Sequence, residues 1–199
     1  MKILVILAHP DPASFNHAIA KSVCLQLEKD GHTVLFHDLY QEGFDPVLPG
    51  SEIPRDSYLN ASVKRHCTDL QMADGVIIIH PNWWGMPPAI LKGWIDRIIR
   101  PGIAYRFIEG DAGDGVPVGL LQAKAAIVIT TSNTRKEREE TVFGDPLQLI
   151  WKQCVFGLCG VLQFHRLIFR VVITSSLQER VSWLNDATEL THRIFPEST

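Results

Sequence analysis

Three short stretches of this chain, Ile3-Leu4-Val5-Ile6-Leu7, Val76-Ile77-Ile78-Ile79 and Ala125-Ala126-Ile127-Val128-Ile129, are apolar at every position. A strand with one wet face alternates, whereas a strand that is apolar throughout is buried on both faces, the condition of strands in a parallel sheet. Helical patterns lie between and beyond these runs. Residues 14–30 carry Ala18, Ile19, Val23, Leu25 and Leu27 near helical spacing, with Ser14 placed as N-cap and Gly31 as stop. Residues 89–99 put Ile90, Leu91, Trp94, Ile95 and Ile98 on one stripe. Residues 33–40 and 161–174 read as further strands, and residues 58–72, 146–159 and 177–195 as further helices. Alternation of this kind makes a parallel sheet covered by helices on both faces, with right-handed crossovers. The 199 residues, 46% of them hydrophobic, suffice for one α/β domain spanning 1–199. No GxGxxG follows the first strand, so the expected strand order is 2-1-3-4-5 rather than that of a dinucleotide-binding half.

Composition narrows the partners. A formal charge of −3 and the absence of a basic stripe argue against nucleic acid and for small molecules. Cys24, Cys67, Cys154 and Cys159 show no CxxC spacing and read as small buried residues of a reducing compartment. The apolar run after Lys2 is too short for a signal peptide, and no stretch reaches the length of a membrane span, so a cytoplasmic protein is expected. His66, His80 and His165 share no ligand spacing, and the turn at residues 110–115 lacks the oxygen spacing of a calcium loop, so no metal is assigned. The charged run at residues 135–140 reads as a solvated face, and Asp96-Arg97 as an exposed helix pair.

In open α/β sheets ligands bind beyond the carboxyl ends of the strands. Three loops converge there. The turn after the first strand, His9-Pro10-Asp11-Pro12-Ala13-Ser14-Phe15-Asn16, leads into a helix N-terminus, where unpaired N–H groups and the helix dipole favour phosphate. The exit of the third strand, Pro81-Asn82-Trp83-Trp84-Gly85-Met86-Pro87-Pro88, cannot be helical through its prolines and presents two indoles beside backbone donors. The fourth strand ends in Thr130-Thr131-Ser132-Asn133, which adds hydroxyls and an amide. Together these suit a flat polar ring that also carries phosphate, as a flavin does.

The pattern HxxxxSFN before a helix, then PxxWxxPPAILKGWxDR, then Thr-Thr before a loop, resembles the NAD(P)H:quinone oxidoreductase family over nearly the whole chain, most specifically at residues 81–97. The resemblance implies a flavodoxin-like fold and a homodimer whose active site lies at the interface. It implies that His9, Ser14, Phe15 and Asn16 hold the phosphate region of the flavin. Pro81, Asn82, Trp83 and Trp84 would then hold the ring, and Thr130, Thr131, Ser132 and Asn133 its other edge. Trp84, with Tyr105 and Phe107 from the partner subunit, would form the substrate pocket. Hydride would pass from NADH or NADPH to the flavin and two electrons onward to a quinone-like small molecule, by a ping-pong mechanism. FAD is the expected flavin, on the length of the first loop, with FMN the alternative. Mammalian members carry a Tyr and a His in the loop after the fourth strand; here Phe143 stands before Gly144-Asp145, and Cys67 stands near the place of a frequent glutamine. The chain also lacks the long extension those members have after the last helix. Two other activities fit the same residues: reduction of azo or nitro compounds, and a flavin-binding regulatory subunit of a potassium-efflux type membrane system.

Overall fold

The computed structural model describes residues 1–108, 115 and 117–197. The expected turn at residues 110–115 lies, apart from Gly115, outside them. Five parallel strands form the main sheet: β1 (Lys2–Leu7), β2 (Thr33–Asp38), β3 (Gly75–Pro81), β6 (Ala125–Ser132) and β7 (Gln163–Arg170). Their order is β2-β1-β3-β6-β7, which is the expected 2-1-3-4-5, and β4 (Tyr105–Arg106) pairs antiparallel with β5 (Val118–Gly119) in a separate hairpin. Every residue of β3 and β6 is buried, as the continuous apolar runs require.

One face of the sheet packs against α1 (Phe15–Lys29) and α6 (Leu177–Ile194) through Ile19, Val23, Leu27, Ala187 and Leu190. The other packs against α2 (Ala61–Met72), α3 (Ala89–Ile98) and α5 (Pro146–Leu149), with Trp94 and Trp151 in that core. Ser14 and Asn60 cap α1 and α2 by accepting from His17 N and Val63 N, and Ser176 with Glu179 closes a capping box on α6. α5 continues as a π-helical run, Ile150–Gly157, where a single regular helix was expected. Its wider turns bring Trp151, Val155 and Phe156 together onto the core. β7 is shorter than expected because the chain turns after Arg170 into a 3-10 turn, Val172–Thr174, held by Ile173 N–H donating to Asn133 Oδ1 (3.0 Å).

The excursion at residues 41–57 is a strap over α3. Arg97, expected on the surface, is buried and reaches Glu52 Oε1 and Oε2 at 2.6 and 2.9 Å. Its Nη1 donates to Asp45 O (2.6 Å), and Arg100 Nη2 donates to Glu52 O and Ser57 Oγ at 2.9 and 2.8 Å. The strap crosses α3 at Gly93, where a Cβ would stand 2.1 Å from Pro46 O, so only glycine allows the approach. Asp96 does remain partly exposed, paired with Lys92.

Candidate active site

The loops after β1, β3 and β6 meet at the carboxyl edge of the sheet and enclose two adjoining cavities of about 430 and 880 Å³. Asn82, Asn133 and Thr134 belong to both walls, so the two form one cleft.

The smaller cavity opens on the N-terminus of α1. His9, Ser14, Phe15 and Asn16 line it, as do Pro81, Trp83, Thr131 and Ser132. His9 Nδ1 lies 3.1 Å from Asp11 N and 3.3 Å from Asp11 O, which fixes the ring against the backbone of the turn. Partial burial and the neighbouring His17 hold the His9 imidazole below its ordinary value, so the neutral ring is favoured. Ser14 Oγ caps α1 and lies 2.9 Å from His17 Nδ1, while His17 Nε2 reaches Asp38 Oδ2 at 2.9 Å. Phe15 packs on Phe169 and Trp183, with ring centroids 6.0 and 5.9 Å away. Asn16 Nδ2 donates to Thr131 Oγ1 (2.9 Å) and ties α1 to the end of β6. Arg180 of α6 also lines this end, its guanidinium held by Ser175 Oγ (2.8 Å) and Val172 O (3.1 Å). A helix N-terminus, a histidine and a fixed guanidinium make the smaller cavity anion-seeking.

The larger cavity has more apolar walls, with Trp84, Phe143 and Pro146 among them, and Arg135 and Arg138 also border it. Trp83 and Met86 exchange backbone hydrogen bonds of 3.1 and 3.0 Å across Trp84-Gly85, whose φ values are 59° and 74°. Both central residues at positive φ define a type I′ turn, and it thrusts the Trp84 indole wholly into solvent. The Trp83 ring points back, 6.2 Å from that of His9. Asn82 holds this loop at three points: N–H to Thr131 O (2.7 Å), Oδ1 from Gly85 N–H (2.9 Å) and Nδ2 to Glu139 Oε1 (2.9 Å).

That last contact corrects the reading of residues 135–140 as a solvated face at one position, Glu139; the other five are exposed. The run enters α4 (Lys136–Thr141), whose Glu139 is 2% exposed and lines the larger cavity with Oε2 unpartnered. A second correction concerns Thr130. Strand alternation turns Thr131 toward α1 and Thr130 to the opposite face, where its Oγ1 is buried without a partner and lines neither cavity. Tyr105 and Phe107 sit on or beside β4, ring centroids 5.7 Å apart, and reach neither cavity of their own chain. Glu139 was missed because a charge on a polar helix looks solvated until a distant loop closes over it, and Arg135, Arg138 and Arg180 because nothing local shows which cavity a charged side chain borders.

A third cluster lies elsewhere. His37 Nδ1 and Nε2 face Glu42 Oε1 (2.8 Å) and Asp69 Oδ2 (2.9 Å), and His66 Nε2 lies 3.1 Å from Glu42 Oε2. His37, Glu42 and His66 offer ligand atoms within 4.8 Å of one another. Trp94 Nε1–H donates to His66 Nδ1 (3.1 Å), however, so the neutral ring carries its proton on Nε2, toward Glu42. His66 Nε2 approaches Glu42 Oε2 without forming a hydrogen bond, so only the His37 contacts to Glu42 and Asp69 and the Trp94 contact to His66 are hydrogen-bonded here.

A five-stranded parallel sheet of this order, with its cleft beyond strands β1, β3 and β6, defines a flavodoxin-like architecture. A search of solved structures agrees: the protein is similar to Smu.1420 from Streptococcus mutans UA159 at 33% identity, with TM-score 0.83 over 97% of this chain and 100% of that one. The chain belongs to the flavodoxin-like fold family, whose model matches residues 1–182, and within it to the NAD(P)H:quinone oxidoreductases. It is 32% identical over 170 residues to an uncharacterized NAD(P)H oxidoreductase of Haemophilus influenzae, covering 81% of this chain and 79% of that protein. It is also 32% identical over 171 residues to the ribosyldihydronicotinamide dehydrogenase [quinone] of Homo sapiens, covering 75% and 72%. It spans 59% of the length of a ribosyldihydronicotinamide dehydrogenase-like protein of Penicillium crustosum, to which it is 33% identical over 158 residues. Among the described residues no helix is long and apolar enough to cross a membrane.

Proposed function

We propose that the protein is a flavin-dependent NAD(P)H oxidoreductase, a single flavin-binding domain that passes two electrons from NADH or NADPH to quinone-like acceptors. The observation that carries this reading is the two-part cleft, anion-seeking at one end and lined by the aromatic rings of Trp84 and Phe143 at the other. Its donor set fits a flavin. The α1 N-terminus with His9, Ser14 and Arg180 would hold the phosphate. The backbone at Pro81, Asn82 and Trp83 and the polar groups of Thr131, Ser132 and Asn133 would hold the ring. The bound flavin supplies the redox chemistry, accepting a hydride and releasing two electrons.

What this chain's own residues do is position and shelter. Trp84 offers a planar face that donor and acceptor occupy in turn, the ping-pong sequence that a single ring-end cavity supports. Phe143 and Pro146 line the same cavity and would shield an occupant from water. FAD is the proposed flavin, with FMN the alternative. Phe107, Ile108 and Trp84 are exposed apolar side chains, which supports a homodimer in which Tyr105 and Phe107 complete the partner subunit's pocket. A cytoplasmic location goes with this reading.

Arg135 and Arg138 bordering the larger cavity, the latter 5.4 Å from the Phe143 ring centroid, favour a second class of acceptor: planar anions such as sulfonated azo compounds. An anaerobic visible spectrum of the protein reconstituted with FAD or FMN tests the whole reading. Bleaching by NADH or NADPH, reversed by a quinone, is expected. A bound flavin that neither nucleotide reduces would replace the enzyme with a regulatory flavoprotein, and failure to bind either flavin would refute the assignment.

A further inference from the structure

The loop after β6 brings one buried acid into the wall of the larger cavity. Glu139 Oε1 is fixed by Asn82 Nδ2 at 2.9 Å, whereas Oε2 is sealed from solvent without a partner. Native proteins leave few buried polar atoms unpaired, because desolvation is then uncompensated. A cavity-lining carboxylate with one oxygen tied and the other unmet lacks a donor, and an occupant of the cavity can bring one. We propose that Glu139 accepts from an N–H on the polar edge of the bound heterocycle, and that its charge fixes the protonation of that edge when the ring is reduced. The proposal rests on the flavin reading above.

The groups facing Glu139 leave it this task. On its own helix and cap, Arg138 and Arg135 are exposed, where solvent screens them. From the β3 loop comes Asn82, which does not titrate. Asp145 donates its N–H to Glu139 O (3.1 Å), but its carboxylate is taken by Arg166 Nη1 at 2.7 Å. His80, on β3, is saturated: Nδ1 donates to Pro81 O (2.8 Å) and Nε2 accepts from Trp151 Nε1–H (3.0 Å).

Hydride transfer from NAD(P)H delivers two electrons and one proton, giving NAD(P)⁺ and a reduced ring with one negative charge. A carboxylate beside the polar edge disfavours that charge, so a second proton is taken from water and stays on the ring, at a nitrogen other than the one whose N–H Glu139 already accepts. The balance is oxidised ring plus NAD(P)H plus H⁺, giving the neutral reduced ring plus NAD(P)⁺.

Glu139→Gln keeps a carbonyl for Asn82 and turns the spare oxygen into a donor. Titrating the full chain with FAD and with FMN, followed by flavin fluorescence, is expected to show E139Q binding about tenfold more weakly than the unsubstituted protein. The pH dependence of the bound flavin's potential, above neutral pH, is expected to fall from two protons per electron pair to one. Glu139→Asp keeps the charge, so it should bind more weakly yet retain two protons, and it carries the test if E139Q does not fold. Equal affinity and equal proton count in E139Q, or a single proton in E139D, would overturn the proposal. Binding of neither flavin by the unsubstituted protein would instead overturn the functional reading beneath it.

Discussion

Trp84 combines full exposure with a φ of 59°, a conformation that costs an ordinary L-residue on the order of 1–2 kcal/mol. A bulky residue kept there earns nothing in packing, which points to the ligand. Trp84→Gly should therefore leave the free energy of unfolding within about 1 kcal/mol of the parent, since relief of strain and added chain entropy oppose each other. The same substitution should raise KM for planar acceptors. Steady-state kinetics beside urea unfolding separate the two effects. Asn82→Ala is the counter-case. It strands the buried Glu139 carboxylate, at roughly 1–3 kcal/mol, and frees the half-buried Gly85 N–H to solvent, and should lower the urea midpoint.

Among the elements, the strap over α3 depends on a buried ion pair. Arg97→Met alone leaves Glu52 charged and unpaired in the interior and should destabilise by about 3–5 kcal/mol. Pairing it with Glu52→Leu removes the stranded charge and should recover most of the loss, which guanidinium denaturation of the single and double variants can read. The strap also shows where sequence legibility ends. β1, β3 and β6 were legible because an unbroken apolar run has one sensible environment, and residues 81–97 because their prolines and apolar stripe restrict the backbone. Arg97 was misread because its partner lies 45 residues away. Glu139 was misread likewise, its partner Asn82 being 57 residues back. The end of β7 was set by Asn133 reaching Ile173 N–H, a contact that local propensity does not contain. In the cleft, both ends of the first loop and the β3 exit were foreseen. The side of the sheet on which Thr130 falls followed only from the register of β6 with β3.

For the molecule as a whole, two buried histidines set the acid limb of stability. Burial, with help from His37 and Arg65, lowers His66 to about 3, and burial lowers His80 to about 4. Above the ordinary value of 6.5 both rings are neutral folded and unfolded, and contribute no slope. As pH falls below it, the unfolded chain binds protons that the folded protein refuses. Each ring should then shift the folding equilibrium toward unfolding by roughly tenfold per pH unit, until its folded value is reached. Unfolding midpoints measured from pH 7 down to about 4 should fall accordingly, and His80→Gln, which can still accept from Trp151, should flatten part of the fall. The strap has a last consequence, for degradation. Val47, Ile53 and Tyr58 are exposed and chemically attractive to proteases, yet the chain bearing them passes under no side chain at Gly93 and is bolted by Arg97 and Arg100. It cannot peel away residue by residue. Cleavage there should keep pace with cooperative opening of the α3 layer, making a surface segment as long-lived as the core it crosses.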